Sequence, residues 1–354
     1  MKRNLSAPVK AGLFILFLVV AGVLAFFAHR WARSFFLDFT IAQLPGLAVQ
    51  DTLTPGEIAE GTAAPIANPT QVAGPPPEPW DGGSRVTMLV MGLDYRDWAA
   101  GEGPPRTDTM ILLTIDPLSV TAGMLNIPRD LWVNIPGYDY GKINTAYALG
   151  EAYQVPPYGG PTLAMQTVEA LLGVDIDYYA QIDFYAFERF IDELGGIWVD
   201  IPATIKVDPL GEDNANTLEA GLTQLDGPHS LAYARARNSE GGDFDRSLRQ
   251  QQVILAIFDR ILELGPAELA ARAPALYEEL SAGVHTNLSL DDAIRLGWLA
   301  LDTRDNIARG AIAPPNSVIL AKSPDGSQDI LIPVPDQIRL VRDQVFASSD
   351  MASP

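Results

Sequence analysis

The stretch from Val86 to Pro128 constrains the fold more than any other. Three short apolar runs follow one another there: VTMLVMGLD, TMILLTIDP and TAGMLNIP, each interrupted or stopped by a glycine or a proline. Near-continuous apolar runs of this length suit strands covered on both faces of a sheet, and Pro117 and Pro128 cannot continue a ladder. Downstream the hydrophobic period changes. TLAMQTVEALLG, 162–173, has helical spacing and a glycine stop. YYAQID then predicts a strand, FYAFERFIDELGG a helix and IWVDIP a strand. Further helices are expected over 227–236, 247–264, 266–281 and 289–301. Strands mixed with helices in this way predict an α/β fold, a layered α-β-α domain with a central mixed sheet. The order of the strands is not readable from the runs themselves.

The amino terminus predicts a membrane segment ahead of that domain. Lys2, Arg3 and Lys10 precede AGLFILFLVVAGVLAFFA, residues 11–28, which carry no charge. At about 1.5 Å per helical residue this run reaches about 27 Å, close to the hydrocarbon thickness of a bilayer. The run is long for a cleaved signal peptide, and Phe26 stands where cleavage after Ala28 would want a small residue. An uncleaved single-pass anchor is therefore expected over 11–28, with residues 1–10 as a cytoplasmic tail and the rest outside the membrane. Residues 29–84 read as a stalk followed by a Pro/Gly/Ala-rich linker. Residues 85–345 form the folded domain and 346–354 a terminal tail.

Composition removes several functions. The net charge is −20, which opposes nucleic-acid binding through a general basic surface. There is no cysteine, hence no disulfide framework and no thiol chemistry. His29, His229 and His285 form no zinc-ligand pattern, and no Walker-type phosphate loop is present.

Three charged stretches stand out against this background. In MGLDYRDWAAGEGPPRTDTM, Asp94 follows one apolar run and Asp108 precedes the next. Two carboxylates at adjoining strand ends repel unless a cation or shared proton compensates, and Mg²⁺ takes such oxygen ligands together with phosphate oxygens and water. The same residues would equally cap turns and pair with Arg96 and Arg106. In NIPRDLWVNIPGYDYGKINTAYALG, Arg129 comes directly after a strand-ending proline, where it would hold either an anion or Asp130. In LAYARARNSEGGDFDRSLRQQQ, Arg235, Arg237, Arg246 and Arg249 fall within fifteen residues, and Arg246 and Arg249 lie at the start of a helix. Cations are unfavourable there unless an anion docks or Asp243 or Asp245 neutralises them. Taken together, carboxylates suited to a metal and arginines suited to phosphate are the equipment of phosphoryl transfer.

At these residues the sequence resembles the LytR–CpsA–Psr family of cell-wall assembly proteins. The matching stretches are MGLDYR, RTDTMILLTIDP, NIPRDLWVNIPG, KINTAYALG, DYYAQIDFYAFERFIDELGGIWVDIP, LDGPHSLAYARAR and DFDRSLRQQQ, in the family's order from about Val86 to Leu264. One departure is Asn126, where the family has a serine. The resemblance implies a single-pass protein of the cell membrane with an extracytoplasmic catalytic domain. It implies transfer of a phosphoglycosyl unit from a polyprenyl-pyrophosphate-linked glycopolymer, such as a teichoic acid or capsular polysaccharide, to peptidoglycan. Asp94 and Asp108 are then ligands of Mg²⁺, with Mn²⁺ as the alternative. Arg129, Arg235, Arg237 and Arg246 bind pyrophosphate, with Arg96, Arg249 and Gln250 as additions. Arg129, Arg237, Asp243 and Arg246 carry the catalysis, Asp243 as the candidate base. Val168, Leu172, Phe187 and Phe190 are the candidates for a lipid-binding tunnel, against the plainer reading as core.

Other readings use the same equipment. Water as acceptor would make the protein a polyprenyl-pyrophosphate phosphatase. A non-catalytic envelope lipid or glycopolymer binder, or an attenuator of envelope gene expression, would need no turnover; no DNA-binding motif supports the last.

Overall fold

The three apolar runs pair with one another in a single sheet. The computed structural model describes residues 81–93, 105–210, 215–239 and 241–347, all within the unit Ala63–Pro354. The expected anchor over 11–28, most of the stalk and linker, Asp94 and Arg96 lie outside the described residues. Among the described residues no helix is long and apolar enough to cross a membrane.

In chain order the elements are β1 Val86–Leu93, β2 Thr107–Asp116, β3 Thr121–Asn126, β4 Trp132–Asn134, β5 Tyr140–Lys142, α1 Thr145–Ala152, α2 Gly160–Leu172, β6 Tyr178–Asp183, α3 Phe184–Glu193, β7 Ile197–Ile201, β8 Ile205–Val207, β9 Asn216–Leu218, β10 Gly221–Leu225, α4 Gly227–Arg235, α5 Asp243–Gly283, β11 Val284–Thr286, α6 Leu290–Asp302, β12 Ile307–Ala311, β13 Val318–Lys322, β14 Asp329–Pro333 and α7 Pro335–Phe346. A six-stranded mixed sheet runs β11-β6-β1-β2-β3-β12. β1, β2 and β3 are antiparallel neighbours, β6 runs parallel to β1, and β12 runs parallel to β3.

Register puts one apolar row across five of these strands: Tyr179, Leu89, Leu112, Leu125 and Gly310. Tyr147 of α1, Val168 and Leu172 of α2, and Ile338 and Val345 of α7 pack in the core on this face. Each such side chain contributes about 1.5–3 kcal/mol on full burial. α7 comes unusually close: a Cβ on Gly123 would lie 2.3 Å from the Val345 carbonyl oxygen, and one on Gly310 2.7 Å from Val345 Cγ2. Only glycine admits that approach. The opposite face is covered by α6, whose Leu296 packs on Val86 and Tyr178, and by the first turns of α5. The α-β-α layering expected from the changing period is therefore present. A second core gathers Ile191 of α3, Ile197 and Val199 of β7, Leu225 of β10, Tyr233 of α4 and Val253 of α5.

The helix expected over 247–264 begins earlier, at Asp243. Gly242 turns the chain with φ 53, and the Asp245 carboxylate reaches back to accept from the Gly241 N–H at 3.0 Å. Neither Asp243 nor Asp245 is the N-cap residue. The break expected between 264 and 266 is real: Gly265 has φ 69 and ψ 171 inside α5.

Candidate active site

The carboxyl ends of β1, β3 and β6 and the amino end of β2 meet at one edge of the sheet, the usual place for a ligand crevice. There the β1–β2 ladder slips. Gly92 pairs with Thr109 but Leu93 pairs with Thr107, so Asp108 is the extra residue of a β-bulge. A bulge leaves its extra residue out of the ladder and re-aims the side chain. Asp108 lines a cleft of about 210 Å³ together with Thr109, Phe184, Arg235, Arg237, Arg246 and Gln250.

Three elements deliver the arginines. Arg129 follows Pro128 at the end of β3, and its carbonyl accepts from the Asn144 N–H at 3.3 Å, tying it to the start of α1. Its guanidinium donates to Asp108 at 2.6 Å and lies 3.6 Å from Asp130 and 3.8 Å from Asp243. Lys142 holds Asp130 from the other side at 2.8 Å. Arg235 ends α4, and its guanidinium lies 5.0 Å above the Phe184 ring, a cation–π distance. Phe184 is itself fixed because Asp183 caps α3, accepting from the Tyr185 and Ala186 N–H groups. Arg237 follows two residues later, and Arg246 lies in the first turns of α5.

Asp243 is the centre of the cluster. Its carboxylate stands 3.2 Å from Arg237, 3.3 Å from Arg246 and 3.8 Å from Arg129. Burial pulls Arg246 down to about 10; Asp243 opposes that shift, while Arg237 and Arg129 reinforce it. For Arg129 burial also disfavours the charge, but Asp108, Asp130 and Asp243 outweigh it and hold the group above the ordinary arginine value. Three guanidiniums thus share one carboxylate beside an open cleft. That arrangement can hold a multiply charged anion with several oxygens.

Below the cleft lies a chain of amides. Gln251 donates to Asn126 at 2.6 Å, Asn126 to Gln250 at 3.1 Å, and Gln250 to Thr109 at 2.9 Å. Asn126 is buried and bridges two glutamines, a role not evident from its position as a departure from serine. Thr109 and Phe184 are cleft residues that the sequence reading missed. The signal for Phe184 was available, since it begins a helix directly after a buried strand.

Of the residues expected from sequence, Asp108, Arg129, Arg235, Arg237, Asp243, Arg246 and Gln250 come together. Arg249 does not line the cleft; its guanidinium goes to the loop after α4. Val168 and Leu172 are fully buried in the core on the sheet. Phe187 and Phe190 pack against the second core. The four lipid candidates therefore fall into separate apolar clusters.

The donors at the cleft fit a hard cation. Asp108 and Thr109 offer oxygen, the Gln250 amide oxygen being taken by Asn126, and no nitrogen or sulfur ligand of histidine or cysteine lines the cleft. Among the described residues no group of three or more His, Cys, Asp or Glu could hold a metal by itself. A cation here would share its shell between one or two carboxylates, the substrate and water.

The profile of the LytR_cpsA_psr family matches residues 62–323. Among curated relatives, polyisoprenyl-teichoic acid–peptidoglycan teichoic acid transferase TagT of Bacillus subtilis (strain 168) is 34% identical over 222 residues, 61% of this chain and 64% of TagT. The chain thus spans less than two thirds of that relative's length. Among solved structures, B. subtilis TagV superposes with a TM-score of 0.60 at 30% identity, covering 77% of this chain and 99% of TagV. A structure of TagT bound to LI-WTA superposes with a TM-score of 0.55 at 28% identity, covering 76% of this chain and 92% of that one.

Proposed function

The chain belongs to the LytR–CpsA–Psr family, and from that premise we propose that it is a phosphotransferase of the cell envelope. It moves a glycopolymer phosphate from a polyprenyl-pyrophosphate carrier to peptidoglycan. The observation that carries this reading is the convergence of Arg129, Arg237 and Arg246 on the single carboxylate of Asp243 at a strand-end cleft. Relatives named as teichoic acid transferases support it.

The residues divide the work as follows. Arg237 and Arg246, with Arg235 and Arg129 beside them, hold the pyrophosphate oxygens and spread the charge that grows on them in the transition state. Arg129 also orients Asp108. The amide chain through Asn126 fixes Gln250 against Thr109 at the edge of the cleft. A hydroxyl of the peptidoglycan acceptor attacks the phosphorus that bears the glycopolymer. A new P–O bond forms, the bond to the bridging oxygen breaks, and polyprenyl phosphate leaves with that electron pair. Asp243 takes the proton of the acceptor hydroxyl. Asp94 and Asp108 would hold Mg²⁺, or Mn²⁺ in its place, and that cation would neutralise phosphate oxygens. Residues 11–28 anchor the protein in the cell membrane, and residues 85–345 work on its outer side.

The test supplies a labelled polyprenyl-pyrophosphate glycopolymer and peptidoglycan to the full chain. Covalent transfer of label to peptidoglycan with release of polyprenyl phosphate is the expected result. Release of the label as free glycopolymer phosphate, with none on peptidoglycan, would make it a phosphatase. Retention of intact carrier without turnover would make it a binder.

A further inference from the structure

Arg249 is almost fully buried and does not line the cleft; its Nε is buried without a hydrogen-bond partner, and its two terminal nitrogens are both engaged elsewhere. One terminal nitrogen donates to the Ala236 carbonyl and the other to Ser239 Oγ at 3.2 Å. Ser239 also bonds Asp245, whose carboxylate accepts from the Gly241 N–H at 3.0 Å. On the far side, Asn238 Nδ2 donates to the Lys206 carbonyl at 2.7 Å. These contacts bracket Arg237. The segment after α4 has no helical or sheet ladder of its own: Ala236 is extended, with φ −58 and ψ 138. Something else must hold it.

The periodicity of α5 explains how one helix serves both ends. Asp243, Arg246 and Gln250 recur at helical spacing; Arg246 and Gln250 line the cleft, and Asp243 pairs with Arg237 and Arg246 beside it. Asp245, Arg249 and Gln252 recur at the same spacing on the adjoining stripe and face the α4 segment, where Gln252 accepts from the Tyr233 hydroxyl at 2.8 Å. A guanidinium offers two parallel donors in a rigid fork, which suits bridging two acceptors that must keep a set distance. We infer that Arg249, assisted by Asp245 through Ser239, is a positioning residue that locks the 236–239 segment and thereby aims Arg237 at the anion, and that it does not touch the anion itself. The inference rests on the proposed pyrophosphate site for its functional consequence, while the lock is independent of any substrate.

Two measurements on the full chain decide it. The first is amide hydrogen exchange over 236–242 without ligand. Arg249→Ala and Arg249→Lys should both speed exchange by about tenfold or more, and Ser239→Ala by less; Arg237→Ala should leave it near wild type. The second is calorimetric binding of inorganic pyrophosphate in a double-mutant cycle. Arg249→Ala should weaken binding about tenfold when Arg237 is present and less than about twofold in the Arg237→Ala background, because both losses pass through one group. Additive losses, or rescue by Arg249→Lys, would show a direct charge contact with the anion and overturn the inference. Unchanged exchange in both Arg249→Lys and Ser239→Ala, the milder variants, would overturn it as well. If wild type binds no pyrophosphate, the reading of the cleft fails, and the exchange measurement still decides whether the lock exists.

Discussion

Arg246 and Asp243 face each other at 3.3 Å, and the Arg246 side chain is only 7% exposed. Arg246 is a cation in the first turns of a helix, close to two other guanidiniums, with one shared carboxylate for company. In the unliganded protein Asp243 therefore stands where an anion would be welcome, and a ligand with several oxygens competes with it for the same donors.

That arrangement sets the cost of Arg246. Burial holds its folded-state value at about 10, below the ordinary arginine value, so the charge is a net cost at every pH below about 10. The cost lifts only as the pH rises through that value toward the ordinary arginine range. At 1.36 kcal/mol per unit the cost is roughly 3 kcal/mol at neutral pH. Arg246→Gln should leave the melting temperature unchanged or raise it by a few degrees while weakening inorganic pyrophosphate binding about tenfold or more. Arg246→Lys should also bind poorly, because lysine lacks the fork. Calorimetry and thermal unfolding check both. A destabilised Arg246→Gln whose stability and binding return in Arg246→Lys would mark a plain ion-pair partner.

Asp243→Asn should separate its two roles. Without the carboxylate the guanidiniums repel, so the unliganded protein should melt lower. With the internal competitor gone, inorganic pyrophosphate should bind several-fold tighter. Transfer should fall about a hundredfold through loss of the base. Binding and transfer moving in the same direction would contradict the competition.

Asp108→Asn keeps an oxygen for Arg129 but removes the charge. Folding should survive, and Mg²⁺ binding followed by calorimetry should be lost. Transfer should fall about a hundredfold, on the order of 3 kcal/mol of stabilisation. Asp94→Asn, tested alongside, should behave the same way. Wild-type Mg²⁺ affinity in both variants would remove the metal from Asp94 and Asp108.

Gly123→Ala tests the packing behind the site. The added carbon would lie 2.3 Å from the Val345 carbonyl oxygen, so α7 must shift. A loss of about 1–3 kcal/mol is expected, with pyrophosphate binding retained in the protein that remains folded. Denaturant unfolding checks the first part, and an unaltered midpoint would show that α7 gives way freely.

Much of the site was legible because its charges cluster in the chain. Asp108, Arg129, Arg235, Arg237, Asp243 and Arg246 all sit in three short stretches next to strand or helix ends. Arg249 was not separable from Arg246 in the same way: both belong to one helix and one charge type. Helical spacing puts them on neighbouring stripes but says nothing of which stripe meets the cleft. Asn126 looked like a mild substitution because its partners, Gln250 and Gln251, lie far along the chain. Val168 and Phe187 looked alike as apolar helix residues, yet they belong to two different cores.

The sequence by itself determined the local elements: strands from short apolar runs, helices from the 3.6 period, and the break in α5 at Gly265. These follow from contacts between near neighbours in the chain, so the chain alone carries them. Tertiary structure decided the strand order, with β6 beside β1 and β12 beside β3, the bulge that lifts Asp108 out of its ladder, and the gathering of three arginines on Asp243. Those outcomes depend on which distant segments pair and pack, because a side chain's partner is chosen by the surface brought against it.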